Sequence, residues 1–307
     1  MFEGRPLTAR GRWINPLVFT HLSLVKRLPK RSLVKSPIFI VGMGRTGTTV
    51  LGLVLSMHKD AGFLNEPKAL WHAVYPGDDL TGNYCDRESK YRLGAGDATA
   101  EVVQNAHRLY GAFLIESFSE RVIDKYPELI FRVPFIKAIF PDAKFLCLVR
   151  NGWDTCVSVD RWSRRLGRTV DGNIDDWWGR NRRKWHLLID QLVPEHPDLR
   201  QHARSMRNWT RQLDMAAVEW IITMRQGIAL LHECPGDVMA VKFEQFCLEP
   251  FQAIKQISDF LHMSSDENLM QYAQSTLDVN RPAEDFTLNG AIEGPFLETM
   301  EALGYGD

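Results

Sequence analysis

The sequence predicts an α/β protein in which helices flank a parallel β-sheet. Short apolar runs at 38–41 and 145–149, and a mostly apolar run at 238–243, are separated by long stretches with helical character. Continuous apolar runs of this length are typical of strands that are buried on both faces of a parallel sheet. A glycine-rich turn from Gly42 to Gly47 joins the first run directly to a helical segment. The alternation of strands and helices along the chain favours helices on both sheet faces.

The elements follow one another in an order that suits such a sheet. The predicted strands are 38–41, 62–64, 121–124, 145–149 and 238–243. The predicted helices are 48–57, 127–140, 153–164 and 251–261. Pro134 is expected to kink or interrupt the second of these helices, because proline removes a backbone hydrogen bond and crowds the preceding turn. Residues 161–213 are rich in Arg and Trp, fit the sheet pattern poorly, and are interpreted as a helical insertion.

Composition limits the kind of protein and its partners. The chain has 307 residues, of which 45% are hydrophobic and 24% charged, which suits a single large domain, predicted at 37–307. The formal net charge is −1, so nucleic acid is not expected as a partner. The five cysteines form no Cys-x-x-Cys pair, which argues against a disulfide framework or a zinc site. A reducing compartment, the cytoplasm, is the expected location.

Residues 1–36 are predicted to form a basic arm that precedes the domain. No acidic residue lies between Glu3 and Asp60. The basic residues of this stretch are Arg5, Arg10, Arg12, Lys26, Arg27, Lys30, Arg31, Lys35, Arg45 and Lys59. The arm is either a solvated basic segment or a contact with an anionic membrane surface or acidic partner. Its apolar stretch at 17–28 is too short for a bilayer span, which needs about 20 residues.

The glycine-rich turn has the features of a phosphate-binding loop with one departure. It reads Gly42-Met43-Gly44-Arg45-Thr46-Gly47-Thr48-Thr49. Backbone N–H groups in such a loop, with the N-terminus of the following helix, attract an anion. The nucleotide-triphosphate loop G-x-x-x-x-G-K-[ST] has a lysine where this chain has Thr48, and here the cation is Arg45. This arrangement favours one compact anionic group over a triphosphate tail.

A second anion site is predicted after the strand at 145–149. The strand ends in Arg150, a turn of Asn151-Gly152 follows, and Ser158 comes eight residues after the arginine on a predicted helix. A guanidinium grips a phosphate through two parallel hydrogen bonds, and a serine hydroxyl adds another donor. The alternatives are an arginine in a surface salt bridge and an ordinary helix serine.

Together these two segments resemble the PAPS-dependent sulfotransferases (PAPS is 3′-phosphoadenosine 5′-phosphosulfate). The loop is similar to the branch with an R-[ST]-G-T-T core, which includes bacterial, carbohydrate and protein-tyrosine sulfotransferases. The resemblance spans roughly 37–262 and implies a P-loop NTPase-like sulfotransferase fold with PAPS as donor and no metal. It implies that the 5′-phosphosulfate is held by Gly44, Arg45, Thr46, Gly47, Thr48 and Thr49. It implies that Arg150 and Ser158 hold the 3′-phosphate, although the family often has Asp-Pro or Asp-Gly after the arginine.

The resemblance also implies transfer of a sulfuryl group to a hydroxyl or amine by in-line displacement. Glu66 follows the predicted strand 62–64 and is the favoured general base, with His72 and His58 as rivals. Glu66 alternatively caps the next helix or pairs with Arg45. Lys125 and Arg45 are expected to stabilise negative charge during transfer. The acceptor is expected to be a carbohydrate, a lipid or a small molecule.

Other readings of the same residues remain open. A P-loop kinase is the main alternative, although Thr48 occupies its lysine position and Asp124 is the only contender for a magnesium ligand. A nucleotide-binding module without catalysis is another. The insertion at 161–213 either lines the acceptor side, with aromatic rings and arginines that contact the substrate, or simply packs as helices with a basic face.

Overall fold

In this computed structural model the described residues are 14–29, 33–85, 87–170, 172–264, 266–277 and 286–306. Their centre is a five-stranded sheet in which every neighbouring pair is parallel. Its strands are β1 (Ile38–Gly42), β2 (Ala61–Asn65), β3 (Arg121–Lys125), β4 (Lys144–Val149) and β8 (Val238–Lys242). Their spatial order is β2-β3-β1-β4-β8. The predicted fold class, a parallel sheet flanked by helices, is confirmed.

Helices cover both faces of this sheet. They are α1 (Asn15–Arg27), α2 (Thr48–Leu55), α3 (Lys68–Val74), α4 (Ala100–Glu116), α5 (Val133–Ile139), α6 (Gly152–Leu166), α7 (Arg183–Gln191), α8 (Pro197–Arg200), α9 (Ala203–Met206), α10 (Gln212–Glu233), α11 (Phe243–Leu248), α12 (Pro250–Leu261), α13 (Glu267–Thr276) and α14 (Glu293–Ala302). Alternate side chains of β1 enter two separate apolar clusters, with Phe39 and Val41 in one and Ile38 and Ile40 in the other. Burial of both faces explains why this strand is a continuous apolar run.

The segment around Pro134 is interrupted, as the sequence predicts, but one residue before the proline. A 3₁₀-helix spans Pro127–Arg132, and α5 begins at Val133. Pro134 therefore lies in the first turn of α5, where the N–H that proline lacks has no partner within the helix.

The insertion at 161–213 is more varied than a purely helical segment. Helix α6 extends to Leu166, and three short strands follow: β5 (Arg168–Val170), β6 (Asn173–Asp176) and β7 (Gly179–Arg180). They form an antiparallel sheet of their own in the order β5-β6-β7. The helical interpretation missed this sheet because strands of two to four mostly polar residues have no apolar alternation. The later part of the insertion does contain helices α7 to α9.

Part of the predicted arm belongs to the folded structure. Helix α1 packs on α3 and α4 and buries Leu22 and Val25. The Lys26 ammonium donates to the Ala73 carbonyl at 3.0 Å, and the Arg108 guanidinium donates to the Lys26 carbonyl at 2.6 Å. The interpretation of 1–36 as a solvated arm is therefore wrong for 15–27, whereas 1–13 and 30–32 lie outside the described residues.

Two further properties bear on the sequence predictions. All five cysteines are free thiols. Within the ranges described above, no helix has the length and apolar character needed to cross a membrane.

Candidate active site

Parallel strands bring the predicted site residues to one edge of the sheet. Gly42 ends β1, Asn65 ends β2, Lys125 ends β3 and Val149 ends β4. Asn65 lies opposite Lys125 in the β2–β3 register. Ligands of open α/β sheets bind at this carboxyl edge, so the phosphate loop, Lys125 and the residues that follow β2 and β4 surround a common space.

The phosphate loop has a backbone that only particular residues allow. Gly47 has φ +98° and caps the N-terminus of α2, and a β-carbon there would collide with the ring of Phe243. Arg45 has φ +76°, an uncommon left-handed conformation for a residue with a side chain. The buried Thr46 hydroxyl donates to the Met43 carbonyl at 2.7 Å and is thus engaged within the loop. Such strain and internal bonding are typical of a preformed ligand site.

The two predicted anion sites meet through direct contacts. The Arg45 Nε donates to the Ser158 hydroxyl at 3.1 Å. The Arg150 guanidinium donates to the Arg45 carbonyl at 3.1 Å and lies 3.8 Å from the Asp154 carboxylate. Its cationic carbon sits 4.6 Å from the centre of the Phe243 ring. Arg150 is therefore fixed between the loop, helix α6 and an aromatic face, with its side chain 13% exposed.

The Asn151-Gly152 turn explains how β4 leads into α6. The Asn151 side chain caps the helix, accepting from the N–H groups of Trp153 at 2.9 Å and Asp154 at 3.3 Å. A β-carbon on Gly152 would lie 2.5 Å from the Phe296 ring, so close packing requires glycine there. Asparagine is one of the preferred N-cap residues, because its side-chain oxygen satisfies free N–H groups of the first turn.

Glu66 lies beside Lys125 at the ligand edge. The Glu66 carboxylate oxygens are 2.7 Å from the Lys125 ammonium and 3.3 Å from the Lys68 ammonium. The Glu66 side chain is 19% exposed, against 3% for Lys125, so the carboxylate is the more accessible partner. Glu66 has φ +47°, again left-handed. Pro67 is the N-cap residue of α3, and the Glu66 carbonyl accepts the Lys68 N–H of that helix at 2.7 Å.

The rival histidines are placed differently. His58 precedes β2, at the opposite edge of the sheet, and its Nε2 lies 3.2 Å from the Ser264 carbonyl. His72 lies on α3, with its Nδ1 3.2 Å from the Asp78 carbonyl and its ring against Phe19. The position of His58 excludes it from the ligand edge.

Asp124, the contender for a magnesium ligand, faces the helical layer. Its carboxylate accepts from the Trp71 indole N–H at 2.9 Å and from the Tyr110 hydroxyl. Burial raises the pKa of Asp124 to about 7, although these two hydrogen bonds and the Lys125 charge act in the opposite direction. No group of three or more potential ligand side chains suitable for a metal occurs in the described part of the chain.

The geometry of this edge can be compared with known proteins. A model of the sulfotransferase family matches residues 37–201, which is more than half of the chain. The chain belongs to the sulfotransferase family. The match includes the phosphate loop, Glu66, Lys125, Arg150 and Ser158.

Relatives in this family include two animal proteins. Protein-tyrosine sulfotransferase A of Caenorhabditis elegans is 22% identical over 244 residues, covering 77% of this chain and 52% of the relative. The protein-tyrosine sulfotransferase of Drosophila melanogaster is 26% identical over 217 residues, covering 69% of this chain and 41% of the relative. The chain therefore spans about half the length of these curated relatives.

A solved structure supports the fold. The sulfotransferase domain of the Synechococcus PCC 7002 olefin synthase superposes with a TM-score of 0.51 and 17% sequence identity. The superposition covers 91% of this chain and 98% of that domain. It shows that the two chains share the sulfotransferase fold.

Several charged residues around the site of this sulfotransferase-family chain were missed by sequence reasoning. Lys68, Glu128, Lys184 and Glu219 are each less than about a tenth exposed and lie in ion-pair distance of one another or of Glu66. The only sequence signal for any of the four is that Lys68 lies two residues after Glu66. The others are scattered along the chain, and no local pattern marks a buried lysine or glutamate.

Proposed function

We propose that the protein transfers a sulfuryl group from PAPS to an acceptor hydroxyl or amine, with Glu66 as the general base. The observation that carries the proposal is the Glu66–Lys125 pair, 2.7 Å apart at the edge where the loop and Arg150 also lie. A carboxylate at this edge can take a proton from an acceptor beside an anion held by the loop.

Donor binding uses the two linked anion sites. The loop from Gly44 to Thr49, with the N-terminus of α2, suits the 5′-phosphosulfate, because backbone N–H groups converge there on one compact anion. Arg150 and Ser158 suit the 3′-phosphate, since they are joined to the loop through Arg45. Thr48 in place of lysine fits a donor that lacks a triphosphate tail.

Each catalytic side chain has a defined role in the transfer. Glu66 accepts the hydroxyl proton while the acceptor oxygen bonds to sulfur on the side opposite the leaving oxygen. The bond from sulfur to the bridging phosphate oxygen breaks, and its electron pair leaves with adenosine 3′,5′-bisphosphate. Lys125 and Arg45 stabilise negative charge on the transferring oxygens and the leaving group, which is the larger part of catalysis in reactions of this type.

Glu66→Gln tests the assignment of the base. We expect turnover to fall by roughly 10²–10⁴-fold, the usual contribution of a general base. Binding of adenosine 3′,5′-bisphosphate, measured by calorimetry, should be unchanged, because the substitution leaves both anion sites intact. Glu267→Gln, an exposed glutamate on α13, is the matched control. Unchanged turnover in Glu66→Gln would remove Glu66 from the mechanism.

The kinase alternative is less well supported by the site. Thr48 occupies the lysine position, and the Asp124 carboxylate points to Trp71 and Tyr110. Activity with PAPS in the presence of a metal chelator is expected, whereas a kinase requires ATP and Mg²⁺. Phosphate transfer from ATP that stops on chelation would support the kinase instead.

The acceptor class is best sought with chemically different hydroxyls. Two relatives are named protein-tyrosine sulfotransferases, which makes the phenol of a tyrosine side chain the first candidate. N-acetyltyrosinamide, octyl glucoside and octanol represent a phenol, a sugar and a lipid-like alcohol. Transfer of labelled sulfate from PAPS to one of the three identifies the class, and the insertion at 161–213 is proposed as the acceptor-side region.

We also propose that α1 contacts an anionic membrane surface. Leu22 and Val25 of this helix pack inward, yet Leu17 and Leu24 are 68% and 56% exposed on its outer side. Leu28 and Ile115 line one groove beside this helix, and Phe118 is 94% exposed. A helix that is apolar on both sides needs a second apolar partner.

Charge complementarity favours a bilayer as that partner. Eight basic residues and no acidic one lie between Glu3 and Pro37, and juxtaposed basic and apolar groups bind anionic lipid surfaces. The free thiols fit a reducing compartment, so the expected surface is the anionic cytoplasmic leaflet.

Vesicle sedimentation tests this contact. The protein should sediment with vesicles of phosphatidylcholine and phosphatidylglycerol, and much less with phosphatidylcholine alone. Replacing Leu17, Leu24 and Leu28 by serine should abolish sedimentation, whereas Leu248→Ser with Phe251→Ser, also exposed apolar residues, should not. No sedimentation of the wild type, or dimerisation that the leucine substitutions abolish, would refute the membrane as the partner.

A further inference from the structure

A chain of buried charges extends from Glu66 into the protein. The Lys68 ammonium lies 3.3 Å from a Glu66 oxygen and 3.9 Å from a Glu128 oxygen. The same Glu128 oxygen lies 3.1 Å from the Lys184 ammonium, which also pairs with Glu219. With Lys125 at its start, this buried charge chain consists of Lys125, Glu66, Lys68, Glu128, Lys184 and Glu219. Its three cations and three anions balance.

Beyond Glu66, the members of the buried charge chain are almost completely shielded from solvent. Side chains of Lys68 and Lys184 are 4% and 1% exposed, and those of Glu128 and Glu219 are 7% and 4% exposed. Charges at such depth are tolerated only when each has an opposite partner. Every link therefore constrains the next, because a shift of one group weakens the charge compensation of its neighbour.

The far end of the chain reaches the phosphate loop. The second Glu219 oxygen accepts from the Trp177 indole N–H at 2.7 Å, and the Lys184 ammonium lies 5.0 Å from the Trp177 ring centre. The Trp177 ring packs on the α-carbon of Gly44, where a β-carbon would lie 2.5 Å from it. One end of the buried charge chain thus includes Glu66, and the other end contacts the phosphate loop at Gly44 through Trp177.

The members come from elements that are far apart in sequence. Glu66 and Lys68 flank the start of α3, and Glu128 lies in the 3₁₀-helix after β3. Lys184 comes from α7 in the insertion, Trp177 from the turn between β6 and β7, and Glu219 from α10. The insertion supplies Lys184 and Trp177, which connect the buried charge chain to the phosphate loop.

We propose that the buried charge chain is a positioning device that holds the base at a fixed place relative to the donor loop. Lys68 and Lys184 are its positioning residues, and Trp177 transmits the constraint to Gly44. The proposal rests on the proposed role of Glu66 as base. A sulfuryl transfer needs the acceptor oxygen, the base and the held sulfur in one geometry, and small displacements reduce the rate strongly. The chain supplies this geometry with paired charges that cannot shift independently.

Three substitutions at different places along the chain should give three different results. Lys68→Met removes a cation next to the base, so kcat should fall by roughly tenfold or more, with the affinity for adenosine 3′,5′-bisphosphate unchanged. Trp177→Phe keeps a ring against Gly44 but lacks the indole N–H that bonds Glu219. The affinity for adenosine 3′,5′-bisphosphate should therefore weaken severalfold. Lys184 connects the two ends of the buried charge chain, so Lys184→Met should lower kcat and also weaken the binding of adenosine 3′,5′-bisphosphate. The matched control is Lys90→Met, which breaks an ion pair with Asp97 at a lysine that is 60% exposed.

The pH profile separates positioning from stability alone. In Lys68→Met the Glu66 carboxylate loses a cation that lies 3.3 Å away, which favours its protonated form, so the acid limb of the kcat profile should move to higher pH. In a Glu66→Gln background, Lys68→Met should cause little further loss of turnover, because it acts through Glu66.

The outcomes distinguish this inference from the proposed function. Full turnover in Glu66→Gln overturns the proposed base. Loss of turnover in Glu66→Gln, together with Lys68→Met and Lys184→Met proteins that differ from wild type only in melting temperature, overturns the positioning role. If Lys184→Met does not fold, Lys184→Arg and Trp177→Phe take its place. A wild-type kcat in Lys184→Arg, together with weakened nucleotide binding in Trp177→Phe, supports the proposal. Normal nucleotide binding in Trp177→Phe contradicts it.

Discussion

Asp124 and Lys125 are neighbours on strand β3, yet their side chains lie in different environments. Side chains of consecutive strand residues point to opposite faces, so the Asp124 carboxylate meets Trp71 and Tyr110, and the Lys125 ammonium meets Glu66. Asp124 is completely buried, and its Oδ1 has no hydrogen-bonding partner among the described residues. Burial without full compensation favours the protonated acid, which raises its pKa to about 7.

Asp124 therefore makes stability depend on pH in an unusual direction. Between its ordinary pKa of 3.8 and about 7, the folded protein binds more of a proton at this site than the unfolded chain. The free energy of unfolding should fall as pH rises through this window, by at most about 1.4 kcal/mol per pH unit from this group. Asp124→Asn should remove that dependence. Urea unfolding of both proteins across the window is the measurement, and parallel pH profiles would contradict the assignment.

Helix α6 and strand β4 together build the side of the site that is proposed to hold the 3′-phosphate. Arg150 follows the strand end and Ser158 lies on the helix, and both contact Arg45 of the loop after β1. The β1–β4 register, with Gly42 opposite Leu148, sets the distance between loop and helix. The position of each group is thus a property of an element and not of the residue alone.

Arg150→Ala tests this element-scale arrangement. Loss of a charge-assisted hydrogen bond costs about 1.5–3 kcal/mol, so affinity for adenosine 3′,5′-bisphosphate should fall roughly 10–100-fold by calorimetry. Circular dichroism should show the fold retained. Arg164→Ala on the same helix removes an arginine that is 76% exposed and paired with Asp160, and should bind normally. Normal affinity in Arg150→Ala would exclude it from the donor site.

At the scale of the whole molecule, the C-terminal helix α14 closes over the core. The Phe296 ring lies 4.7 Å from the ring of Trp153 on α6 and 4.9 Å from that of Trp220 on α10. The Gly152 N–H donates to the Met300 sulfur at 3.2 Å, and the Tyr305 hydroxyl to Glu244 at 2.6 Å. The end of the described chain thus fixes the turn that places Arg150.

Phe296→Ala should therefore weaken the whole fold. Removal of a fully buried phenylalanine leaves a cavity and costs about 3–5 kcal/mol in the free energy of unfolding. Leu297→Ala, the adjacent residue that is 49% exposed, should change it by less than about 0.5 kcal/mol. Denaturant unfolding monitors both. Equal small effects would mean that α14 does not contribute to the cooperative core.

The sequence by itself determined the parallel sheet and the glycine-rich loop that follows its first strand. These features are local: a buried strand is a continuous apolar run, and an anion loop is a short glycine pattern before a helix. The three small strands at 168–180 escaped prediction because they are short and polar. Helix α1 escaped it because a basic composition conceals two inward-facing apolar residues.

Only the tertiary structure decided which charges meet inside the protein. Lys68, Glu128, Lys184 and Glu219 look like ordinary surface residues in the sequence, and Trp177 like one of several insertion tryptophans. Ion pairing depends on distances between elements that are far apart along the chain, and it falls steeply with separation. No local pattern encodes such distances, so the link between Glu66 and the glycine-rich loop becomes visible only in the folded structure.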